Sequence, residues 1–488
     1  MFKTRMLNSR TRFNRLWLPG MALLLGGCSM IPTYERPAAP IAAAWPASAS
    51  ASTLAGAVKP APEVAWQSYF QDARLRQLID TALRNNRDLR IALLNIEQAR
   101  AQFQIRRADQ LPTINLAATG NRAPNSAGAI TSTYTAGFGV TAFELDLFGR
   151  VSSLKEAALA QYLATEEARK TTQISLIAAV ANSYLSLMAD EELLGLTRQT
   201  LQTREESLKL SQARFDYGVT SELDFRQAES LVEAARATLA QLQRQRQLDE
   251  NALTLLLGQP LSKELWASPT MTNGLDRAIV MSELPAGLPS DLLTQRPDIR
   301  AAEQQLLAAN ANIGAARAAF FPRISLTGSV GSVSTQLSGL FGSDSYGWTF
   351  APQMVLPLFD SGRNQASLAS AQTGQKIAVA QYEKAIQTAF REVADALAGR
   401  GTLTEQVRAL QAQARAEEKR FGLSDLRYRH GVASYLDLLD AQRSLFSIQQ
   451  ALVQTRLAQL QNDVTLYKTL GGGWTAEDMT TGEKKPAN

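Results

Sequence analysis

The sequence predicts a mixed α/β membrane protein, internally duplicated, with long α-helical hairpins and four strands per chain. Three observations carry this. Motifs recur in register about 210 residues apart. Proline is absent from 125 to 259 and from 358 to 485, as long helices require. The proline-bearing gaps between these stretches alternate polar and apolar residues with the two-residue period of a strand.

Taken in chain order, residues 1–27 read as a signal peptide. Lys3, Arg5, Arg10, Arg12 and Arg15 precede an apolar run from Leu18 to Leu25, followed by Gly26 and Gly27. The run is too short to span a bilayer, which takes about 20 residues. Cys28 follows at once and is the single cysteine of the 488 residues. The chain holds 50 Lys and Arg against 45 Asp and Glu, a formal charge of +5, and residues 1–27 carry five of the bases and no acid. Cleaved before Cys28, the chain is neutral, so its basic isoelectric point is no argument for nucleic-acid binding. One histidine, His430, and one cysteine leave no Cys-rich or His-paired metal site. No catalytic constellation or nucleotide-binding loop stands in a plausible context. The expectation is no enzyme, no metal and no cofactor beyond a covalent lipid.

Residues 28–63 read as an extended N-terminal segment, 64–260 as the first repeat, 261–290 as an inter-repeat equatorial segment, 291–471 as the second repeat and 472–488 as a tail. RFDYGVTSELDFRQA from Arg214 matches RYRHGVASYLDLLDA from Arg427, and LPTINLAATG from Leu111 matches FPRISLTGSV from Phe321. Within the first proline-free stretch Leu187, Leu194, Leu201, Leu208 and Phe215 recur every seven residues, a heptad seam. Gly218 and Gly431 break the helical pattern at the tip turns, and Ser221 with Asp224, like Ser434 with Asp437, has the spacing of a helix start. The hairpins are thus expected at 150–258 and 362–470, and the strands at 111–121, 134–147, 321–333 and 346–358. Four strands cannot close a barrel in lipid without leaving open edges. Two protomers would give eight strands and three would give twelve.

Several stretches carry a family resemblance: WQSYFQDARL from Trp66, NNRDLR from Asn85, ELDLFGR from Glu144, LPSDLLTQRPDIR from Leu288, VASYLDLLDAQRSL from Val432 and LYKTLGGGW from Leu466. Together they resemble the TolC-type outer-membrane efflux channels, in the NodT-type lipoprotein branch. The likeness spans roughly residues 64–474, and Phe143 departs from it where many relatives have Trp. Leu25-Gly26-Gly27-Cys28 likewise resembles a lipobox, implying a lipid on Cys28, and Ser29 resembles lipoproteins sorted to the outer membrane. The resemblance implies a homotrimer with a twelve-stranded transmembrane β-barrel and a periplasmic α-barrel. It implies docking to a periplasmic adaptor and to an inner-membrane pump, commonly of the resistance-nodulation-division class, and passive efflux of drugs or other small solutes. The same architecture could serve type I protein secretion or export of a metal ion or signal. A non-conducting envelope scaffold is the competitor from another class.

The gate of such a duct is expected at the helix tips. Between the copies Phe215 becomes Tyr428, Asp216 becomes Arg429 and Gln227 becomes Asp440. A ring of Asp440 would repel unless paired, and Tyr428 or Arg429 of a neighbour could hold it. The resemblance points to the same three residues as the aperture, with Asp437 beside them. Against these stand plainer readings: Asp224 and Asp437 as helix-start residues, Asp440 on a solvated face, Arg214 and Arg427 as structural, His430 as an exposed turn residue, Gly471–Gly473 as a helix stop, and the heptad leucines as packing.

Overall fold

The computed structural model describes residues 29–42, 44–45, 60–261, 275, 284–285 and 289–474. Cys28 and the signal segment lie outside the described residues, as do most of the inter-repeat segment and all of the tail beyond Trp474. The elements come in two series, which match from the second helix of the first series onward. The first is α1 (Ala73–Asn85), α2 (Arg87–Ala108), β1 (Ile114–Pro124), β2 (Ile130–Leu145), α3 (Arg150–Asp216) and α4 (Glu222–Leu257). The second is α5 (Pro297–Ala318), β3 (Arg323–Ser334), β4 (Tyr346–Val355), α6 (Arg363–Arg429) and α7 (Tyr435–Thr469). Helices α3 and α6 are each 67 residues long, or about 100 Å at ~1.5 Å per residue.

Each helix starts where a side chain meets its orphan amides. Asp72 accepts from Arg74 N (2.7 Å) and Leu75 N (3.0 Å) to start α1. Asn86, the second asparagine of NNRDLR, accepts from Leu89 N at 2.9 Å to start α2. Asp146 accepts from Val151 N (2.9 Å) and Ser152 N (2.7 Å) to start α3, and Asp360 serves α6 through Asn364 N at 2.9 Å.

The compact units are not the two sequence repeats. One comprises residues 1–38, 95–166 and 301–383, and the other residues 39–94, 167–300 and 384–488. Each takes equivalent segments of both copies, because a long helix packs sideways against its neighbours rather than back upon its own chain.

The first unit contains a single antiparallel sheet in the order β1-β2-β3-β4. β1 runs three residues past the expected end and β2 starts four residues earlier than expected. Small polar residues hid this, because ladder bonds are made by backbone and not by side chains. The turn between them is tightened by Asn125, whose side chain accepts from Ala127 N and Ala129 N, each at 3.0 Å. β4 stops at Val355, three residues short of the expected end and before Pro357. Pro352 within β4 is tolerated because β4 is an edge strand. The register aligns Leu116, Phe138, Val330 and Trp348 in one row across the sheet. These side chains are 44–74% exposed in the single chain. Positions of the opposite face pair polar groups: Thr119 with Thr135 at 2.6 Å and Ser329 with Thr349 at 2.8 Å. Gly137 faces Gly331, and a Cβ on either would overlap the other strand's backbone. In the same unit the N-terminal segment is fastened to α5. Arg36 forks onto Glu303 (2.7 and 2.6 Å), Tyr34 donates to Glu303 (3.0 Å), and Asn310 donates to the Pro32 carbonyl (2.8 Å).

The second unit has a helical core. Ile174, Ile177, Ala181, Tyr184 and Met188 of α3 are buried there, as are Val393 and Leu397 of α6. α3 is long and apolar enough by composition to cross a membrane, but its most apolar stretch is mostly buried within the protein. The heptad seam is fully buried at Leu187 and Leu194 and opens outward, until Phe215 is 38% exposed. Tyr69 stacks on Tyr467 with ring centroids 4.1 Å apart, and Tyr467 donates to the Val64 carbonyl at 2.7 Å.

Candidate functional site: the helix tips

Both tips turn by the same chemistry. At the first, Val219 N reaches the Arg214 carbonyl (2.7 Å) and Gly218 N the Phe215 carbonyl (2.9 Å). At the second, Val432 N reaches Arg427 (2.9 Å) and Gly431 N reaches Tyr428 (3.0 Å). This is a helix stop of the Schellman kind, which needs a left-handed residue. Gly218 has φ +68° and Gly431 φ +71°. The return helices then start on serine. Ser221 accepts from Asp224 N, and Ser434 from Asp437 N, each at 3.2 Å. Asp437 answers by accepting from Ser434 N at 3.3 Å, which completes a capping box. In the first copy Asp224 instead accepts from the Thr220 hydroxyl at 2.8 Å.

The remaining expected residues are engaged within the chain. Arg429 pairs with Asp425 on its own helix at 2.8 Å. Asp440 pairs with Arg420 of α6, which also holds Glu417 at 3.1 Å. These carboxylates, Asp440 first, hold Arg420 above its ordinary pKa. Tyr428 lies half-buried against an apolar cluster of Ala228, Leu231, Tyr435, Leu438 and Leu439. Its ring is 5.3 Å from that of Tyr435, and the Arg214 guanidinium lies 4.9 Å from its centroid. Burial pushes the Tyr435 phenol up. Within the protomer no hydrogen bond joins Asp440 to Tyr428 or Arg429 among the described residues. His430 is exposed at the turn.

Two partners escaped the sequence reading, although both left a signal. Arg420 lies eleven residues before Gly431 and Asp440 nine after, so an antiparallel hairpin brings them opposite each other. Asp425 and Arg429 have the four-residue spacing that places side chains on one helix face.

The quoted motifs resolve into structural nodes. In ELDLFGR, Glu144 receives the fork of Arg150 (both 2.7 Å) and also Arg323 from β3 (2.5 Å), while Phe148 stacks on Phe321 at 4.8 Å. In RPDIR, the buried Arg296 holds Asp298 (2.6 Å), Glu392 (2.8 Å) and the Thr469 carbonyl (3.0 Å). Trp474 receives Lys170 over its ring at 4.8 Å. Among the described residues no three His, Cys, Asp or Glu side chains gather as a metal site would require.

The whole architecture matches known proteins. The outer membrane efflux protein family matches residues 78–259 and 288–472. The toluene efflux pump outer membrane protein TtgC of Pseudomonas putida is 49% identical over 460 residues, 93% of this chain and 94% of that protein. Outer membrane protein OprJ of Pseudomonas aeruginosa is 48% identical over 462 residues, 93% of this chain and 95% of that protein. The open state of the Neisseria gonorrhoeae MtrE outer membrane channel superposes with a TM-score of 0.83 at 43% identity, covering 92% of this chain and 99% of that one. Exposed apolar strands, paired 67-residue helices and twin glycine tips, in a chain matched almost end to end, make this protein a member of the outer membrane efflux protein family, an outer-membrane exit duct of an efflux system.

Proposed function

We propose that the chain acts as one of three identical subunits of a lipid-anchored duct, fed by a periplasmic adaptor and an inner-membrane pump of the resistance-nodulation-division class, and closed at the second helix tip. The observation that carries this reading is the open sheet. Among the described residues, β1 and β4 each leave one edge unpaired. In hydrocarbon each unpaired backbone group costs several kcal/mol, so the edges must be met by other copies, and three copies supply twelve strands. The row of Leu116, Phe138, Val330 and Trp348 supplies an apolar outer face. Relatives named for efflux of toluene and of antibiotics support small organic solutes as the cargo. The fastening of residues 32–36 to α5 supports a lipid on Cys28 tethered to the strand-bearing unit.

The gate is a set of exposed ion pairs that can change partners. In one chain Arg429 pairs with Asp425 and Asp440 with Arg420. Around a ring axis, Arg429 and Tyr428 of one copy would serve Asp440 of the next, and exchange between the two sets would open or shut the aperture. Such exposed pairs are weak singly, which suits a device that must release. Planar-bilayer conductance tests this: rare, small openings for wild type and larger, steadier ones for Asp440→Ala and for Tyr428→Phe with Arg429→Ser. Large steady conductance in all samples would discard the gate and keep the duct. Absence of trimer mass in detergent would discard the ring. A Cys28→Ser chain that kept its lipid by mass spectrometry would discard the anchor.

A further inference from the structure

Arg204 is a buried cation with no anion paired to it among the described residues. It is 5% exposed. One terminal nitrogen donates to the Leu231 carbonyl at 3.1 Å, and the guanidinium carbon lies 5.1 Å from the Phe446 ring centroid. Its Nε makes no hydrogen bond, and no carboxylate pairs with it among the described residues. Burial first, and the like charge of Arg443 second, push its pKa down. An uncompensated buried ion costs several kcal/mol, so a chain that retains one needs a compensating partner.

The space for that partner is present. Arg204 lines a cavity of about 190 Å³ between α3, α6 and α7, with Gln199, Thr200, Thr203 and Gln442 in its wall. The Thr203 hydroxyl already donates to the Gln199 carbonyl at 3.1 Å and the Gln442 amide nitrogen to Ser207 at 3.5 Å, so the further donors to an oxoanion are the Thr200 hydroxyl and the Gln199 amide. At about 30 Å³ per water the volume takes an oxoanion with part of its hydration shell. The wall also holds one carboxylate, Glu418, whose residue is exposed and whose charge opposes an anion.

We infer that this cavity is a binding site for a small oxoanion, held by Arg204 through charge-assisted hydrogen bonds and assisted by the Thr200 hydroxyl and the Gln199 amide. The anion would tie α3 to α7 in the unit that carries the tips. None of Tyr428, Arg429, Asp437 and Asp440 lines the cavity, and the binding test does not depend on how the gate works.

Inorganic sulfate is the probe, titrated calorimetrically into the purified oligomer in detergent, with chloride at matched ionic strength as reference. Saturable binding with one sulfate per chain is expected. Arg204→Gln weakens it at least roughly tenfold, the value of a hydrogen bond to a charged group. Glu418→Gln, an exposed change that leaves packing alone, tightens it roughly twofold to fivefold. Lys419→Gln, the next residue along, leaves it unchanged. No saturable binding to the intact oligomer overturns the site. So does equal affinity in Arg204→Gln, or a loss in Lys419→Gln as large as that in Arg204→Gln, which would mark diffuse surface attraction.

Discussion

Arg214 of the first helix tip stands over Tyr428 of the second, its guanidinium 4.9 Å from the ring centroid. The residue that recurs in both copies thus holds the residue that differs between them. Tyr428 cannot swing toward a neighbour without giving up this contact, which at such sites contributes about 0.5–1 kcal/mol. Arg214→Gln therefore releases the tyrosine. Single-channel recording should show a changed open probability in Arg214→Gln. Tyr428→Phe alone, which keeps the aromatic face, should change it less. Equal effects would place the phenol, not the face, at the centre of the device.

The pair of Arg420 and Asp440 is exposed, so salt should weaken it. The screening length falls from about 10 Å at 0.1 M to about 3 Å at 1 M. Opening should become more frequent across that range in wild type, beyond the rise in bulk conductivity. Arg420→Gln should keep the dependence, because Asp440 still has Arg429 and Tyr428 of the neighbouring copy to pair with, whereas Asp440→Ala should flatten it. A wild-type gate indifferent to salt would remove charge pairing from the mechanism.

Asp190 supplies a pH dependence away from the gate. Burial, then the hydrogen bond and charge of Asp249 on the facing helix, with Glu191 adding to them and Arg246 opposing, raise its carboxyl from 3.8 to about 7. Arg246 is meanwhile occupied by Glu191 and Glu250, and Glu192 stands beside Arg456. The folded chain therefore holds a proton that the unfolded chain has lost. The favourable contribution is complete below the ordinary value of 3.8 and is lost as the pH rises through about 7. The melting temperature should fall between pH 5.5 and pH 8 by roughly 3 °C or more. Asp190→Asn should remove most of that slope. An unchanged slope would mean that the pair does not share a proton.

Gly331→Ala tests the sheet. A Cβ there would overlap the backbone at Ala136 and Gly137. Overpacking of this kind costs about 1–3 kcal/mol, and the oligomer should dissociate at a lower temperature on semi-native gels. Gly347→Ala meets only the side chain of Val333, which can turn, and should be milder.

Much of the design was legible in the residues. Missing prolines marked the long helices, and Gly218 and Gly431 marked their ends. Ser221 and Ser434 marked the restarts, and alternation in 323–330 marked a strand. These are local matters, set by backbone dihedrals and by the first turn of a helix. The full length of β1 and β2 was hidden, because Arg122, Ala123, Thr131 and Ser132 pair through backbone groups that side chains do not reveal. At the gate, Tyr428, Arg429 and Asp440 were visible as departures between the two copies and Arg214 as a structural residue, while the partners Asp425 and Arg420 were not named.

The sequence by itself determined the duplication, the helices with their stops, and the four strands, since period, proline and glycine act within a few residues of where they stand. Only the tertiary structure decided that the compact units cut across the repeats, that Glu144 binds both Arg150 and Arg323, and that Arg204 is buried beside a cavity with no carboxylate paired to it among the described residues. The physical reason is common to all three. Burial and charge pairing depend on which distant segment lies alongside, and that is settled by the packing of whole helices rather than by any residue's neighbours in the chain.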